Sequence, residues 1–275
     1  MRTLVVGGSE AVSREAANGL ARRGWDVDVL TTAARDHYTW HNEYETGATE
    51  VDGVTVRRFP VVRPRWTFNR NRIEQRIQLD QPVSMAEQLR WANGLFRVPD
   101  LFQYLVAHAG EYHAIVFSPY LFWTTIACSA IAPDRSIIMP CLHDENYARL
   151  EIFQPVLANA AATWFLSEPE HQLGHQLASL PVRHSVTGAG VAVPESYDVE
   201  GFKARHGIDR PYVFFAGRRE GGKNWNWLMN AYAGALLRHQ VPFDLVTMGV
   251  GPVMPNDWRY GTTTAVDRPR PVTVA

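Results

Sequence analysis

Cysteine is nearly absent from this 275-residue sequence, which holds only Cys128 and Cys141. Two cysteines, both inside apolar runs, are too few for a disulfide framework or a cysteine-rich metal site, so a reducing compartment is expected. An excess of either charge is missing as well, since 27 Lys and Arg face 28 Asp and Glu for a formal net charge of -1. Without a global basic field, we do not expect the chain to be a dedicated nucleic-acid binder.

Long hydrophobic segments of the export type are also lacking. The apolar residues 4–6 lead straight into Gly7 and Gly8, and this run is too short for a signal peptide, so we expect a cytoplasmic protein. The uncharged run 114–133 is long enough to span a bilayer. Because Pro119 follows a β-rich AIVFS stretch, we instead predict a strand at 114–118 and a buried helix at 120–132.

The composition, 46% apolar and 20% charged, is that of a globular protein. Short β-branched runs alternate with helical patterns, which is typical of an α/β fold with a parallel sheet covered by helices. Strands are predicted at 3–6, 27–31, 114–118, 136–139, 163–166 and 183–187, with helices at 11–23, 84–97, 99–109 and 167–178. Asp52-Gly53 predicts a tight hairpin turn, and Ser84/Glu87 and Ser167/Glu170 match capping boxes.

The glycine-rich stretch 188–194 predicts a hinge between two domains. A second cycle follows, with helix 199–206, strand 212–216, helix 225–240 and strand 243–248. Residues 255–275 have no helical period and are predicted to form an irregular tail. The predicted domains are therefore 1–190, 191–254 and the tail. A doubly wound nucleotide domain needs roughly 100 to 150 residues, so the second domain is expected to be incomplete.

The first candidate ligand-binding loop is Gly7-Gly8-Ser9-Glu10, between the first strand and its helix. A parallel sheet presents backbone amides and a positive helix end at such a loop, which suits an anion or a polar ligand. The adjacent glycines do not match the spaced glycines of a dinucleotide fingerprint, which argues against an oxidoreductase. The alternative is a tight turn without a ligand.

A sharper pattern is Gly217-Arg218-Arg219-Glu220-Gly221-Gly222-Lys223-Asn224, between strand YVFFA and helix WNWLMNAY. Gly217 lets the chain turn, Arg218 can bind two oxygens in a fork, and Lys223 adds a point charge. With the amides of the helix start, these groups suit a diphosphate. We predict that Gly217, Arg218, Lys223 and Asn224 bind it. The alternative is a solvated basic turn.

Taken together, these segments resemble the retaining glycosyltransferases of the GT-B architecture, family 4 in particular. The resemblance covers about residues 1–255 and rests on the opening GG-x-E loop, on LHDENY at 142–147 and on FFAGRREGGKNWNWLMNAY at 214–232. It implies a complete and a partial Rossmann-like domain and sugar transfer, with retention, from a nucleoside diphosphate sugar to a sugar, lipid-linked or small-molecule acceptor held by the first domain. No cofactor and no metal are implied.

The resemblance also implies roles for single residues. Arg218 and Lys223 match the G-R-x(4)-K pattern that holds the donor phosphates, and His143 in LHDENY matches a histidine facing the transferred sugar. These three are the catalytic candidates, with Glu10 helping to position sugar and acceptor. A helix cap or a polar core residue remains the alternative for His143.

One motif of the family is missing. The family carries an E-x(7)-E motif late in the second domain, whereas the only acidic residues after Glu220 are Asp244, Asp257 and Asp267. We therefore expect a chain shortened near Trp258 relative to its ancestor. The alternative function is a catalytically inactive binding module or an unstable fragment.

Residues 57–76, called here the basic segment, hold seven arginines against one acidic residue, Glu74, with Trp66 and Phe68 interleaved. Peripheral contact with an anionic inner membrane face or with an acidic acceptor is one interpretation. The other is a solvated loop over the sheet edge. The arginines are Arg57, Arg58, Arg63, Arg65, Arg70, Arg72 and Arg76.

Two further features are ambiguous. Trp40 follows the second strand, where an aromatic ring can stack on a sugar acceptor or cover apolar surface. His171 and His175 lie four residues apart on one predicted helix and could ligate a metal. No third ligand is evident from the spacing, so we favour a helix-surface pair and predict no metal site.

Overall fold

The structure is a computed structural model, and it describes residues 8–35, 39–64, 68–190, 193, 195–238, 243–249, 251 and 272–274. The chain divides into two compact units, Met1–Val191 and Ala192–Ala275. This division lies within the glycine-rich stretch 188–194. The predicted strand 3–6, Gly7, Arg65, Trp66 and most of the predicted tail lie outside the described residues.

The first unit contains seven helices among the described residues: α1 (Gly8–Ala21), α2 (Phe68–Gln78), α3 (Met85–Asn93), α4 (Pro99–His108), α5 (Trp123–Cys128), α6 (Gln154–Ala158) and α7 (Glu168–Leu177). Its described strands are β1 (Asp28–Thr32), β2 (Gly47–Val51), β3 (Val54–Phe59), β4 (Ile115–Phe117), β5 (Ser136–Ile138), β6 (Ala162–Phe165) and β7 (His184–Val186). They form one sheet of order β1-β3-β2 and a parallel sheet of order β4-β5-β6-β7.

The predicted hairpin is confirmed. Strands β2 and β3 pair antiparallel from Val51↔Val54 outward. The turn residues Asp52 and Gly53 have φ angles of 51° and 79°. Two consecutive positive φ angles are what a type I′ turn needs, and its twist matches that of the flanking strands.

The uncharged run 114–133 is a strand and a helix, as predicted, but the helix is shorter than expected. Strand β4 is followed by α5, which begins only at Trp123 because the amide of Tyr120 donates to the carbonyl of Pro140 at 2.9 Å and holds the preceding loop across the end of β5. Among the described residues, no helix has the length and apolar character needed to cross a membrane.

Helix α2 begins within the basic segment and was not predicted. Its apolar face is narrow, with Ile73 and Ile77 buried against Trp91 of α3. These two isoleucines, four residues apart, are the one helical signal in an arginine-rich stretch. A second cluster, around Leu105 and Ile138, fills the space between the parallel sheet and α4.

The second unit contains helices α8 (Val199–His206) and α9 (Trp225–Arg238) and strands β8 (Tyr212–Ala216), β9 (Asp244–Met248) and β10 (Val272–Val274). The strands are parallel, in the order β10-β9-β8. Strand β10 falls inside the segment predicted to be irregular. Helix α9 packs Trp225, Met229 and Tyr232 onto Leu245 of β9.

The capping box predicted at the start of α3 is present. The backbone amide of Ser84 donates to Oε2 of Glu87 at 2.9 Å. The guanidinium of Arg76 on α2 binds the same carboxylate, so one side chain caps α3 and fastens α2 to it. The Ser84 amide and hydroxyl, with Arg76, lower the pKa of Glu87 from 4.5 to about 2.

The lowered pKa predicts how Glu87 contributes to stability. Because the folded state favours the ionised carboxylate, its stabilisation is full above pH 4.5 and is lost as the pH falls toward about 2. The variant Glu87→Gln should therefore unfold at a lower urea concentration than the parent at pH 7. This difference in urea midpoint should close between pH 4.5 and 2. Glu50→Gln, at an exposed position of β2, is the control. A difference that stays constant over this range would contradict the assignment.

Candidate functional site

The loop from residue 217 to residue 224, called here the β8–α9 loop, leaves the carboxyl end of β8 and opens α9. Its first residue, Gly217, donates its amide to the carbonyl of Met248 at the end of β9, at 2.9 Å. Residues 221–223 form a single 3-10 turn, and Asn224 then adopts a left-handed conformation with φ of 55° before α9 begins. The loop therefore lies at the edge of the sheet where open α/β folds bind ligands.

The loops after β8 and β9 meet backbone to backbone. Gly249 has a φ of 136°, and a Cβ added to it would lie 2.0 Å from the carbonyl oxygen of Gly217. Only glycine fits at this contact, because both the φ angle and the available space exclude a side chain.

Arg219 is the buried residue of the β8–α9 loop, with 6% of its surface exposed. Its guanidinium donates to Oγ1 of Thr247 at 3.1 and 3.3 Å and to the carbonyls of Gly249 and Gly251 at 2.5 and 3.0 Å. The same group lies 5.9 Å from the ring centroid of Trp225. Arg219 thus fastens the two loops together, a role that the sequence analysis missed because the sequence does not tell which of two adjacent arginines faces inward.

Arg218 and Lys223 have different surroundings from Arg219. The Arg218 side chain is 32% exposed and forms an ion pair with Oε1 of Glu220 at 3.1 Å. Lys223 is exposed. The two predicted phosphate-binding cations therefore belong to one surface loop, with a carboxylate already beside the guanidinium. An anion that binds Arg218 must share this cation with Glu220.

In the first unit, the loops that follow β5 and β6 are held together by Glu170. This carboxylate is 6% exposed and accepts from the amides of Leu142 at 2.8 Å and Leu166 at 2.7 Å. The capping box predicted at Ser167 is therefore only half formed. The Ser167 hydroxyl accepts from the Glu170 amide at 3.3 Å, but the carboxylate is taken up by two buried amides of neighbouring loops.

His143 lies one residue beyond this anchor, and its side chain is exposed. It precedes the 3-10 turn Asn146–Arg149, whose N-cap is Glu145. His143 is therefore neither a helix cap nor a polar core residue, which were the alternatives to a ligand contact. The hydroxyl of the buried Tyr120 donates to Glu145 at 2.8 Å, and this hydrogen bond stabilises the loop that carries His143. Burial raises the pKa of Tyr120, so this donor stays protonated.

Glu10 lies in the first turn of α1. Burial raises the pKa of the Cys141 thiol, a hydrogen bond with Ser118 lowers it, and the carboxylates of Glu170 and Glu10 raise it by smaller amounts. Gly8, Ser9 and Glu10 form the first turn of α1, and the Ser9 hydroxyl donates to Glu10 at 3.0 Å.

Trp40 is partly buried and packs against the core of the first unit. Its ring stacks on Phe96 at a centroid distance of 5.1 Å and meets Phe122 edge-on at 5.4 Å. The backbone at Trp40 has a φ of 52°. Covering apolar surface was the alternative to acceptor contact, and this packing supports it.

Most arginines of the basic segment are engaged by the protein itself. Arg57 lies over the ring of Tyr104, Arg58 donates to Thr49, Arg63 donates to the carbonyl of Thr39, Arg70 pairs with Glu74, and Arg76 binds Glu87. They are distributed over β3, the following loop and α2. Of these five arginines, Arg70 and Arg76 pair with carboxylates, whereas the other three contact neutral groups and keep their positive charge.

The helix pair His171 and His175 has a third neighbour. His184, the first residue of β7, brings a third imidazole into the group, and one nitrogen of each ring lies within 4.8 Å of the others. Sequence spacing could not show this, because His184 belongs to another element.

The fold resembles a solved structure, the sucrose-phosphate synthase from Thermosynechococcus elongatus, a GT-B glycosyltransferase. The two share 16% sequence identity with a TM-score of 0.59, and the match covers 89% of this chain and 57% of that one. The fold is of the GT-B type. The predicted fold class is thereby confirmed. No family model and no curated protein matches the sequence.

Truncation to alanine should lower the free energy of unfolding far more at Arg219 than at the adjacent Arg218. Arg219→Ala removes a buried cation and leaves Thr247 and two carbonyls without their donor, so we expect a loss of about 2–3 kcal/mol in the free energy of unfolding. Arg218→Ala should change it by no more than about 0.5 kcal/mol. Urea titration followed by circular dichroism measures both. Equal losses would contradict the assigned roles.

The Glu170 anchor gives a second prediction. Glu170→Gln places an amide NH₂ against one of two buried N–H donors, and the free energy of unfolding should fall by about 1–3 kcal/mol. Glu168→Gln, on an exposed position of the same helix, should stay within about 0.5 kcal/mol of the parent. The same urea titration applies, and an unaffected Glu170→Gln variant would refute the anchoring role.

Proposed function

We propose that the protein is a glycosyltransferase, similar to those of family 4, that moves a sugar from a nucleoside diphosphate sugar to an acceptor with retention at the anomeric carbon. The observation that carries this proposal is the β8–α9 loop, which carries both Arg218 and Lys223 at the carboxyl edge of a parallel sheet, before a 14-residue helix. The GT-B fold supports sugar transfer as the general type of reaction, without specifying donor, acceptor or stereochemistry.

In the proposed reaction, negative charge develops on the diphosphate as the bond to the sugar breaks. Arg218 binds two phosphate oxygens in a fork and Lys223 adds a second cation, so both offset this charge as it forms. The rigid packing of Arg219 keeps the loop in place, so little reorganisation is needed during the step. Loss of one such donor typically slows a reaction on the order of 10² to 10³ fold.

The first unit supplies the sugar and acceptor contacts in this proposal. His143 extends from a loop whose backbone is anchored by Glu170 at the preceding residue, Leu142, so the backbone that carries this exposed side chain is held in place. Ser9 and Glu10 add a hydroxyl and a carboxylate that can bind sugar hydroxyls, and the amide of Gly8 is one of the donors at the start of α1. The acceptor class remains a sugar, a lipid-linked or a small molecule.

A binding protein that holds the diphosphate without transferring the sugar is the second candidate. This candidate is favoured by the positions of the acidic residues that follow Glu220, none of which is seen to supply a carboxylate at the β8–α9 loop among the described residues. Asp244 is buried at the first position of β9 and pairs with Arg210 at 3.1 Å, at the opposite end of the strand from the β8–α9 loop. Asp257 and Asp267 lie outside the described residues. Among the described residues that follow Glu220, a carboxylate partner for the donor sugar is therefore not evident.

Calorimetric titration with UDP, GDP and ADP tests the phosphate contacts. Charge-assisted hydrogen bonds contribute about 1.5–3 kcal/mol, so Arg218→Ala and Lys223→Ala should each weaken binding of the preferred nucleotide at least about tenfold. Arg205→Ala is the matched control, because Arg205 is an exposed arginine of the same unit that pairs with Asp198. Unchanged affinity in both loop variants would refute the assignment.

Turnover separates the two candidates. With a panel of nucleotide sugars and acceptors, an enzyme releases the diphosphate and His143→Ala lowers the rate while leaving diphosphate affinity unchanged. Tight diphosphate binding with no release of sugar from any donor would instead support the binding protein.

A further inference from the structure

The three histidines His171, His175 and His184, called here the histidine cluster, lie close enough to share one ion. The nitrogens Nε2 of His171 and Nε2 of His175 are 3.0 Å apart, and His184 completes a group whose ligand atoms all lie within 4.8 Å. In a tetrahedral zinc site with Zn–N bonds of 2.0–2.1 Å, ligand nitrogens lie roughly 3.3 Å apart. Small rotations of the imidazoles therefore suffice to reach that geometry.

Two of the three rings already have the outer partners of metal-binding histidines. Nδ1 of His184 lies 2.7 Å from the carbonyl oxygen of Pro181, and Nδ1 of His171 lies 3.4 Å from Oε1 of Glu168. A carbonyl can only accept, so Nδ1 of His184 carries a proton, and in the neutral imidazole Nε2 then has the lone pair that a metal ion needs. A carboxylate or carbonyl at the distal nitrogen fixes the tautomer and raises the basicity of the ligating nitrogen.

The fold holds the cluster in place. Histidines four residues apart lie on one face of α7. Gly174 lets this helix approach β6 closely, because a Cβ there would lie 2.8 Å from the ring of Phe165. The ring of Phe165 is in turn 5.1 Å from that of His171. The strand β7 then brings His184 alongside, at a centroid distance of 5.1 Å from each of the other two rings.

We propose that the histidine cluster is a binding site for a divalent transition metal ion of the Zn²⁺ class. Imidazole nitrogen is a preferred ligand of Zn²⁺, Ni²⁺ and Cu²⁺, whereas Mg²⁺ and Ca²⁺ take oxygen ligands. Three imidazoles leave a fourth position, which the exposure of His175 opens to water. Bound metal would join α7 to β7. The site lies within the first unit and does not depend on the proposed glycosyl transfer.

Titration of the metal-free full chain with ZnCl₂ tests this proposal by calorimetry, with CoCl₂ as a spectroscopic probe. We expect one equivalent of Zn²⁺ to bind, and Co²⁺ to give the visible absorption bands of a four-coordinate site with three imidazole nitrogens and one water. His175→Ala is the main variant, since this exposed ring has no role in the core. This variant and His184→Ala should each bind Zn²⁺ at least about tenfold more weakly than the parent. Loss of an outer-shell partner alone typically lowers metal affinity by about tenfold or more, and loss of a ligand should cost at least as much.

His108→Ala is the matched control, because His108 is a surface histidine of α4 that pairs with Glu111 at 2.9 Å. It should bind Zn²⁺ like the parent. Glu168→Gln, which alters an outer partner without removing a ligand, should weaken binding by about tenfold. Far-ultraviolet circular dichroism of the metal-free variants checks folding. Failure of the parent to bind Zn²⁺, or equal binding by His175→Ala and the parent, would overturn the proposal.

Discussion

The candidate donor site depends on the hydrogen bonds of the buried Arg219 guanidinium. This guanidinium binds Thr247 and the carbonyls of Gly249 and Gly251, and so joins the loops after β8 and β9 at the edge of the sheet. A buried cation is costly unless its donors are satisfied, and here backbone and hydroxyl oxygens satisfy them. Because Arg219 is held inward, its neighbour Arg218 stays at the surface, in the same loop as Lys223.

A buried charge organises the first unit in a similar way. The carboxylate of Glu170 binds two backbone amides from the loops after β5 and β6, and His143 follows directly on one of these anchored residues. In both units an inward-facing charge fixes the loops at the carboxyl ends of parallel strands, while polar side chains beside it remain exposed. Rigid loops with exposed polar groups are what a binding site needs, since preorganised contacts lose little entropy on binding.

Local patterns were enough to predict the α/β class, the Asp52-Gly53 hairpin and the start of α3, because each depends on neighbouring residues. Longer-range features were not predictable in this way. Sequence alone did not tell that Arg219 faces inward and Arg218 outward, that Glu170 serves two distant amides, or that His184 joins the histidine pair. Helix α2 was missed because only Ile73 and Ile77 mark its buried face. The packing of Trp40 against the core became evident only from its contacts with Phe96 and Phe122.

The most direct measurement is a nuclear magnetic resonance titration of the arginine Nε–H groups with a nucleoside diphosphate, the signals being assigned with Arg218→Lys and Arg219→Lys. If Arg218 binds the phosphates and Arg219 only supports the loop, the Arg218 signal shifts with saturation while the Arg219 signal stays in place. An Arg218 signal that does not move at nucleotide concentrations that saturate the protein would contradict the account.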